Sequence, residues 1–159
     1  MRQLFFCFLA ALAALPAWAA SYRGIVNHVS DGDTLWIRPD GGGRPRPLRL
    51  LGIDAPEICQ AGGPQARQAL ATRVLHRRVT VYTQAEDHFR RPLGRLELQG
   101  QDVGQWMVQR GHAWSYRVGR DSGPYAAQER QARRRGAGLW AAAKPVEPRI
   151  FRKQHGSCG

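Results

Sequence analysis

Tyr22 to Ile53 reads YRGIVNHVSDGDTLWIRPDGGGRPRPLRLLGI, and the first domain-forming pattern of the chain lies in it. Tyr22 to Val29 is β-type. Ser30-Asp31-Gly32-Asp33 follows, and an Asp-Gly pair between two such runs predicts a hairpin. Thr34 to Arg38 (TLWIR) is the second strand, Pro39 to Gly43 a glycine-rich turn, and Pro47 to Ile53 (PLRLLGI) the third strand. Downstream the period changes. Ala66, Ala69, Leu70 and Val74 fall on one helical face, and Pro64 suits a first helical turn. Val79 to Tyr82 and Leu93 to Leu98 predict strands four and five. A short helix is expected from Asp102, with Val103, Trp106 and Met107 as its apolar stripe and Gly111 at its end. A third helix is expected from about Pro124 to Arg135, with Tyr125 and Ala132 inward. Leu139-Trp140 then reads as a latch onto the core.

Five strands with a helix between the third and fourth suggest an α+β β-barrel with three helices. The candidate is an OB-fold, a five-stranded Greek-key barrel. SH3-like barrels and ferredoxin-like folds compete at this level. The domain is read as residues 20–143, with 144–159 as a proline- and arginine-rich, irregular tail.

Residues 1–19 are read as a leader. Arg2 precedes an apolar run from Leu4 to Leu15, and Ala17 and Ala19 form a small-residue cleavage site, the pattern of a secretory signal peptide. The run is shorter than the roughly 20 residues a membrane span needs. The expected location is therefore periplasmic or extracellular, with no membrane anchor after cleavage. Cys7 leaves with the leader. Cys59 and Cys158 remain, an even pair in an oxidising compartment, and a bridge between them is expected. The absence of a C-x-x-C and the scatter of five histidines argue against a zinc site. Lys and Arg outnumber Asp and Glu by 24 to 12, a formal net charge of +12. That excess favours a polyanionic partner through counterion release, although a solvated basic surface has the same composition.

Three segments carry candidate chemistry. Asp31-Gly32-Asp33-Thr34 sets two carboxylates around a glycine, where one could bind a hard cation. On its own it reads first as an ordinary turn whose aspartate caps backbone amides. Arg49-Leu50-Leu51-Gly52-Ile53-Asp54-Ala55-Pro56-Glu57 places one guanidinium and two carboxylates around an apolar strand, a costly arrangement unless the charges are paired or functional. Alternation puts Arg49 and Asp54 on opposite faces, so one shared site needs a bend, which Gly52 and Pro56 can supply. Asp87-His88-Phe89-Arg90-Arg91-Pro92-Leu93-Gly94-Arg95 is a basic turn between strands four and five.

Together with Gly111 to Tyr116 and with Tyr125 to Trp140, which holds Glu129, Ala132-Arg133 and Gly138-Leu139-Trp140, these segments resemble the staphylococcal-nuclease-like (thermonuclease) family. They match its D-G-D-T, R-L-x-G-I-D-A-P-E, D-x-Y-G-R-x-L, G-x-A-x-x-Y and Y-x-x-x-E-x-x-A-R stretches in order. The resemblance spans about residues 22 to 143. It implies an OB-fold, a monomer, and calcium-dependent hydrolysis of DNA and RNA, with magnesium or manganese as alternative cations. It also implies Asp33, Asp54 and the backbone carbonyl of Ala55 as metal ligands, with Asp31 behind them. The resemblance likewise implies that Glu57 orients or deprotonates the attacking water and that Arg49 and Arg91 hold the phosphate. It suggests His88, Phe89 and Tyr116 as substrate contacts, although Tyr116 reads equally well as a core or barrel-edge residue.

Two departures stand out. Phe89-Arg90-Arg91 replaces the family's Tyr-Gly-Arg, so a positive φ at Arg90 would be strained. Arg95 is a rival for the role of Arg91. Trp106, Trp114 and Trp140 are expected in the core. The competing functions are an exported OB module that binds nucleic acid without cutting it, and a structural calcium-binding domain.

Overall fold

The computed structural model describes residues 20–87 and 89–158, so the leader, His88 and Gly159 lie outside the described residues. β1 (Ala20–Val29), β2 (Thr34–Pro39) and β3 (Arg46–Leu50) form an antiparallel meander, with Val29 opposite Leu35 and Thr34 opposite Arg49. β5 (Arg78–Glu86) pairs with both β1 and β6 (Pro92–Leu98). β6 then runs parallel to β3 at Arg49–Leu93 and Leu50–Gly94. That last pairing closes the five long strands into the expected OB-type barrel. It also removes the ferredoxin-like alternative, whose sheet stays open.

Between β3 and β5 lie a two-residue strand β4 (Ile53–Asp54) and helix α1 (Gly63–Val74). Ala66, Leu70 and Val74 are fully buried, as their four-residue spacing predicts. After β6 come β7 (Gln101–Asp102), α2 (Val103–Gln109) and β8 (Trp114–Ser115), which pairs antiparallel with β4. The Asp102 carboxylate caps α2 by accepting the Gln105 N–H at 3.0 Å. α3 (Ala126–Arg134) and a 3-10 turn (Gly138–Ala141) follow.

The barrel is filled by Val26, Leu35, Ile37, Leu48, Leu50, Val81 and Leu96. A second cluster joins Trp114, Ala132 and Trp140, with the two indoles edge to face at 5.0 Å. The latch expected at Leu139-Trp140 is this cluster, and Trp106 packs partly buried on the main core. Among the described residues no helix is long and apolar enough to cross a membrane.

The tail departs from expectation. Residues 148 to 155 are not irregular but form a fourth helix, α4 (Pro148–His155). Proline suits its first turn, where the missing N–H has no intrahelical partner in any case. Several contacts hold the tail down. Gln60 Nε2 donates to the Val146 carbonyl at 2.7 Å, and Arg117 pairs with Glu147 at 3.2 Å. Cys59 and Cys158, with Cα atoms 5.8 Å apart, form the expected disulfide.

Candidate active site

The β1–β2 turn is tied by its own side chains. Asp31 Oδ1 accepts the backbone N–H of Asp33 at 2.9 Å and of Thr34 at 2.7 Å, the amide-capping role open to any Asp-Gly turn. Gly32 does more than turn the chain. A Cβ there would lie 2.6 Å from Ala55 Cβ and 2.7 Å from Ala66 Cβ. Only glycine lets this turn pack against both α1 and the segment after β4. Asp33 is thereby buried at 3 % exposure. Its Oδ1 accepts from the Thr34 hydroxyl at 3.0 Å, and its Oδ2 from the Ala55 N–H at 3.1 Å.

Arg49 leaves the end of β3, and the chain bends before Asp54 as anticipated. Gly52 takes φ +81°, and a Cβ there would meet Pro124 Cγ at 2.7 Å. The bend lets Arg49 Nη2 sit 3.2 Å from both Asp33 Oδ2 and Asp54 Oδ1. Two carboxylates 21 positions apart in the chain thus share one guanidinium nitrogen. Glu57 follows Pro56, and its backbone N–H donates to Gln60 Oε1 at 3.2 Å. Sequence reasoning did not anticipate the next contact. Arg152 of α4 reaches both oxygens of Asp54 at 3.1 Å and Glu57 Oε1 at 2.8 Å.

The β5–β6 turn forms the facing wall. Asp87 accepts the backbone N–H groups of Phe89 and Arg91, each at 2.9 Å, and pairs with Arg91 Nε at 2.8 Å. Burial alone would push the Asp87 carboxyl up. The Arg91 amide and guanidinium more than offset that and hold it below its ordinary value. Arg90 adopts φ 59°, the strained conformation expected where the family carries glycine. Arg95 points elsewhere: it pairs with Glu97 at 3.0 Å and lies 5.0 Å over the Tyr82 ring. The guanidinium on the cleft is that of Arg91.

Two openings meet at these residues. A cleft of 340 Å³ is lined by Asp31, Asp33, Arg49, Ala55, Glu57 and Arg91 among others. A second of 380 Å³ adds Tyr116 and Arg152 around the same Arg49, Glu57 and Phe89. A larger cavity, 630 Å³ between α4 and the 3-10 turn, is lined by no carboxylate, so the chemistry belongs to the two smaller clefts. The candidate residues within the described part therefore converge on one region; His88 lies outside it.

Electrostatics set the character of the region. Burial, reinforced by the charge of Asp33, pushes the Asp31 carboxyl up from 3.8 to about 6. Burial also raises Asp54, against the pull of Arg152. Burial works against the charge of Arg49, but Asp33 and Asp54 outweigh it and hold that guanidinium more firmly protonated. Among the described residues no group of three or more His, Cys, Asp or Glu forms a ready-made metal cage. The donors at hand are carboxylate and carbonyl oxygens, with four carboxylates (Asp31, Asp33, Asp54, Glu57) facing three guanidiniums (Arg49, Arg91, Arg152). Hard oxygen donors with excess negative charge fit calcium or magnesium, both of which accept water to complete their shells.

Asp31 carries a stability cost that can be measured. Its folded-state pKa lies above the unfolded value, so folding takes up a proton between 3.8 and about 6. Stability is fullest below that window and falls as pH rises through it. Asp31→Asn keeps an oxygen for the two amides and removes the charge. The metal-free variant is expected to exceed wild type by on the order of 1–2 kcal/mol at pH 7. The gap should close towards pH 4 in urea melts. A variant no more stable than wild type at pH 7 would refute the assignment.

A family model described as "Staphylococcal nuclease homologue" matches residues 47–142. The Escherichia coli "Protein ParB" is 39% identical, over 97% of this chain and 96% of its own. A Shigella flexneri "Micrococcal nuclease" is 35% identical, over 89% of this chain and 86% of its own. An "Uncharacterized endonuclease" of Haemophilus influenzae is 34% identical, over 79% of this chain and 70% of its own. The barrel, the order of its motifs and these matches agree, and the chain belongs to the staphylococcal nuclease homologue family.

Proposed function

We propose that the protein is an exported, cation-dependent endonuclease that hydrolyses phosphodiester bonds of DNA and RNA with little sequence preference. The observation that carries this reading is the convergence of Asp33 and Asp54 on Arg49, with Glu57 beside them on the same cleft. A module that only gripped its polymer would gain nothing by burying carboxylates where phosphate must approach. The names of its relatives point the same way.

The side chains divide the work. Asp33, Asp54 and the Ala55 carbonyl would hold the cation, calcium by preference, and Asp31 stiffens the turn behind them. Bound there, a divalent cation would supply positive charge where the attacked phosphate accumulates negative charge. Arg49 and Arg91 hold the phosphate, since a planar fork matches its oxygens better than an ammonium does. Glu57 takes or steers the proton of the attacking water. Phe89 and Tyr116, both exposed on the cleft wall, contact the nucleotides, and His88 is assigned the same role. Export rests on the leader pattern and agrees with a disulfide, which persists in an oxidising compartment.

The test is cleavage of single-stranded DNA, followed on a gel with calcium, with magnesium or manganese, and with a chelator. Cleavage with calcium that stops on chelation is expected. No cleavage with any of these cations, alongside intact DNA binding, would make the protein a binding module instead.

A further inference from the structure

The C-terminal helix lies beyond the family match, which ends at residue 142, whereas α4 begins at Pro148. Its Arg152 is nevertheless the guanidinium most engaged with the carboxylates. Nη1 and Nη2 each donate to one Asp54 oxygen at 3.1 Å, and Nη1 also reaches Glu57 Oε1 at 2.8 Å. These contacts cross 98 and 95 positions of chain.

We infer that Arg152 is a positioning residue of the active site, holding the Glu57 carboxylate against Asp54 from a helix fastened by the Cys59–Cys158 disulfide. The inference rests on the nuclease reading above and adds a residue to it.

Asp54 and Glu57 carry like charges, and left alone they would turn apart. A lone glutamate samples several rotamers, and most of them take its oxygens away from the attacking water. The fork of Arg152 removes both problems at once, because its planar geometry fixes the two carboxylates relative to each other. It engages Oε1 of Glu57, and Oε2 has no partner among the described residues, which leaves it for a water. Arg152 needs a fixed origin to do this, and α4 has one. The disulfide lies six residues beyond Arg152, while Glu147–Arg117 and Val146–Gln60 hold the helix start. Gln60 also accepts the N–H of Glu57, and Cys59 donates its N–H to Cys158 Sγ at 3.0 Å. The segment that carries Glu57 and the helix that orients it are thus tied at both ends.

Steady-state kinetics on single-stranded DNA decide the matter, using the disulfide-bonded wild type, Arg152→Ala, Arg152→Lys and Arg149→Ala. Misplacing a reacting group by about 1 Å costs on the order of 100-fold, so Arg152→Ala should lose roughly that factor in kcat with KM little changed. Guanidinium ion, well below denaturing concentrations, should restore part of the loss. Arg149 pairs with Glu147 on the same helix, and its removal should leave the rate alone.

Arg152→Lys keeps the charge and loses the fork, so it answers the question if the alanine variant does not fold. Positioning predicts a clear fall in kcat for the lysine variant, whereas a simple counterion predicts none. The inference is overturned if either Arg152 variant matches or exceeds wild-type kcat. A rise in KM at unchanged kcat overturns it too, since that marks a phosphate contact. Wild type that cleaves nothing would instead sink the nuclease reading itself.

Discussion

Replacing Glu57 with alanine is expected to lower turnover by about 10²–10⁴-fold, the usual span for a removed general base, while the grip on DNA is kept. The split follows from charge. Glu57 has the same sign as phosphate, so removing it cannot weaken the electrostatic attraction on which nucleic-acid affinity rests. The chain carries a formal net charge of +12, and Arg49 and Arg91 remain on the cleft. Single-turnover cleavage with cation and fluorescence anisotropy without it measure the two quantities separately. Asp54 keeps Arg152 in the variant, and Glu57 is part-exposed rather than core, so the fold should survive. Full turnover in Glu57→Ala would remove this carboxylate from the mechanism. A parallel loss of rate and affinity would mean that it shapes the cleft rather than the water.

The local part of this site was legible in the sequence, and the long-range part was not. Arg49, Asp54 and Glu57 lie within nine positions, and the need for a bend at Gly52 followed from strand alternation alone. The strain at Arg90 followed from a missing glycine. The burial of Asp33 could not be read in this way, since it depends on Gly32 packing against Ala55 and Ala66 from two other elements.

Arg152 was missed for a different reason. The density of proline and arginine after Ala143 suggested irregular chain, yet Pro148 lies where a helix tolerates proline best. Ile150 and Phe151 followed by a paired Cys158 were the available signal, because a tail that ends in a disulfide must return to the domain. The same limit applies to Glu129. Its place in a motif was visible, but its burial appears only once α3 is docked on β8.

That docking predicts that Glu129→Ala lowers stability. Glu129 is 2 % exposed and fully committed. Oε2 accepts the Ser115 N–H at 2.8 Å, while Oε1 takes Arg117 and the Arg133 side chain, whose Nη2 lies at 2.8 Å. Truncation leaves the buried Ser115 amide and the Arg133 guanidinium without this acceptor, while Arg117 keeps Glu147. Leaving a buried donor unsatisfied costs about 1–3 kcal/mol, which for a domain of this size is a fall of roughly 3–12 °C in Tm.

The loss should reach the active site as well. Ser115 pairs with Ile53, and Trp114 with Asp54, so the strand freed by the mutation is the one that braces Asp54. Ser115 Oγ also accepts the Tyr125 N–H at 3.0 Å, which ties the start of α3 to the same strand. Glu129→Gln keeps an oxygen for the Ser115 amide and forfeits only the charge, so it should fall between wild type and alanine. Thermal melts of the three proteins, with cleavage assayed well below the lowest midpoint, give the ordering. An unchanged midpoint in Glu129→Ala would mean that α3 is held by the Trp114–Trp140 cluster alone and that the buried carboxylate is idle.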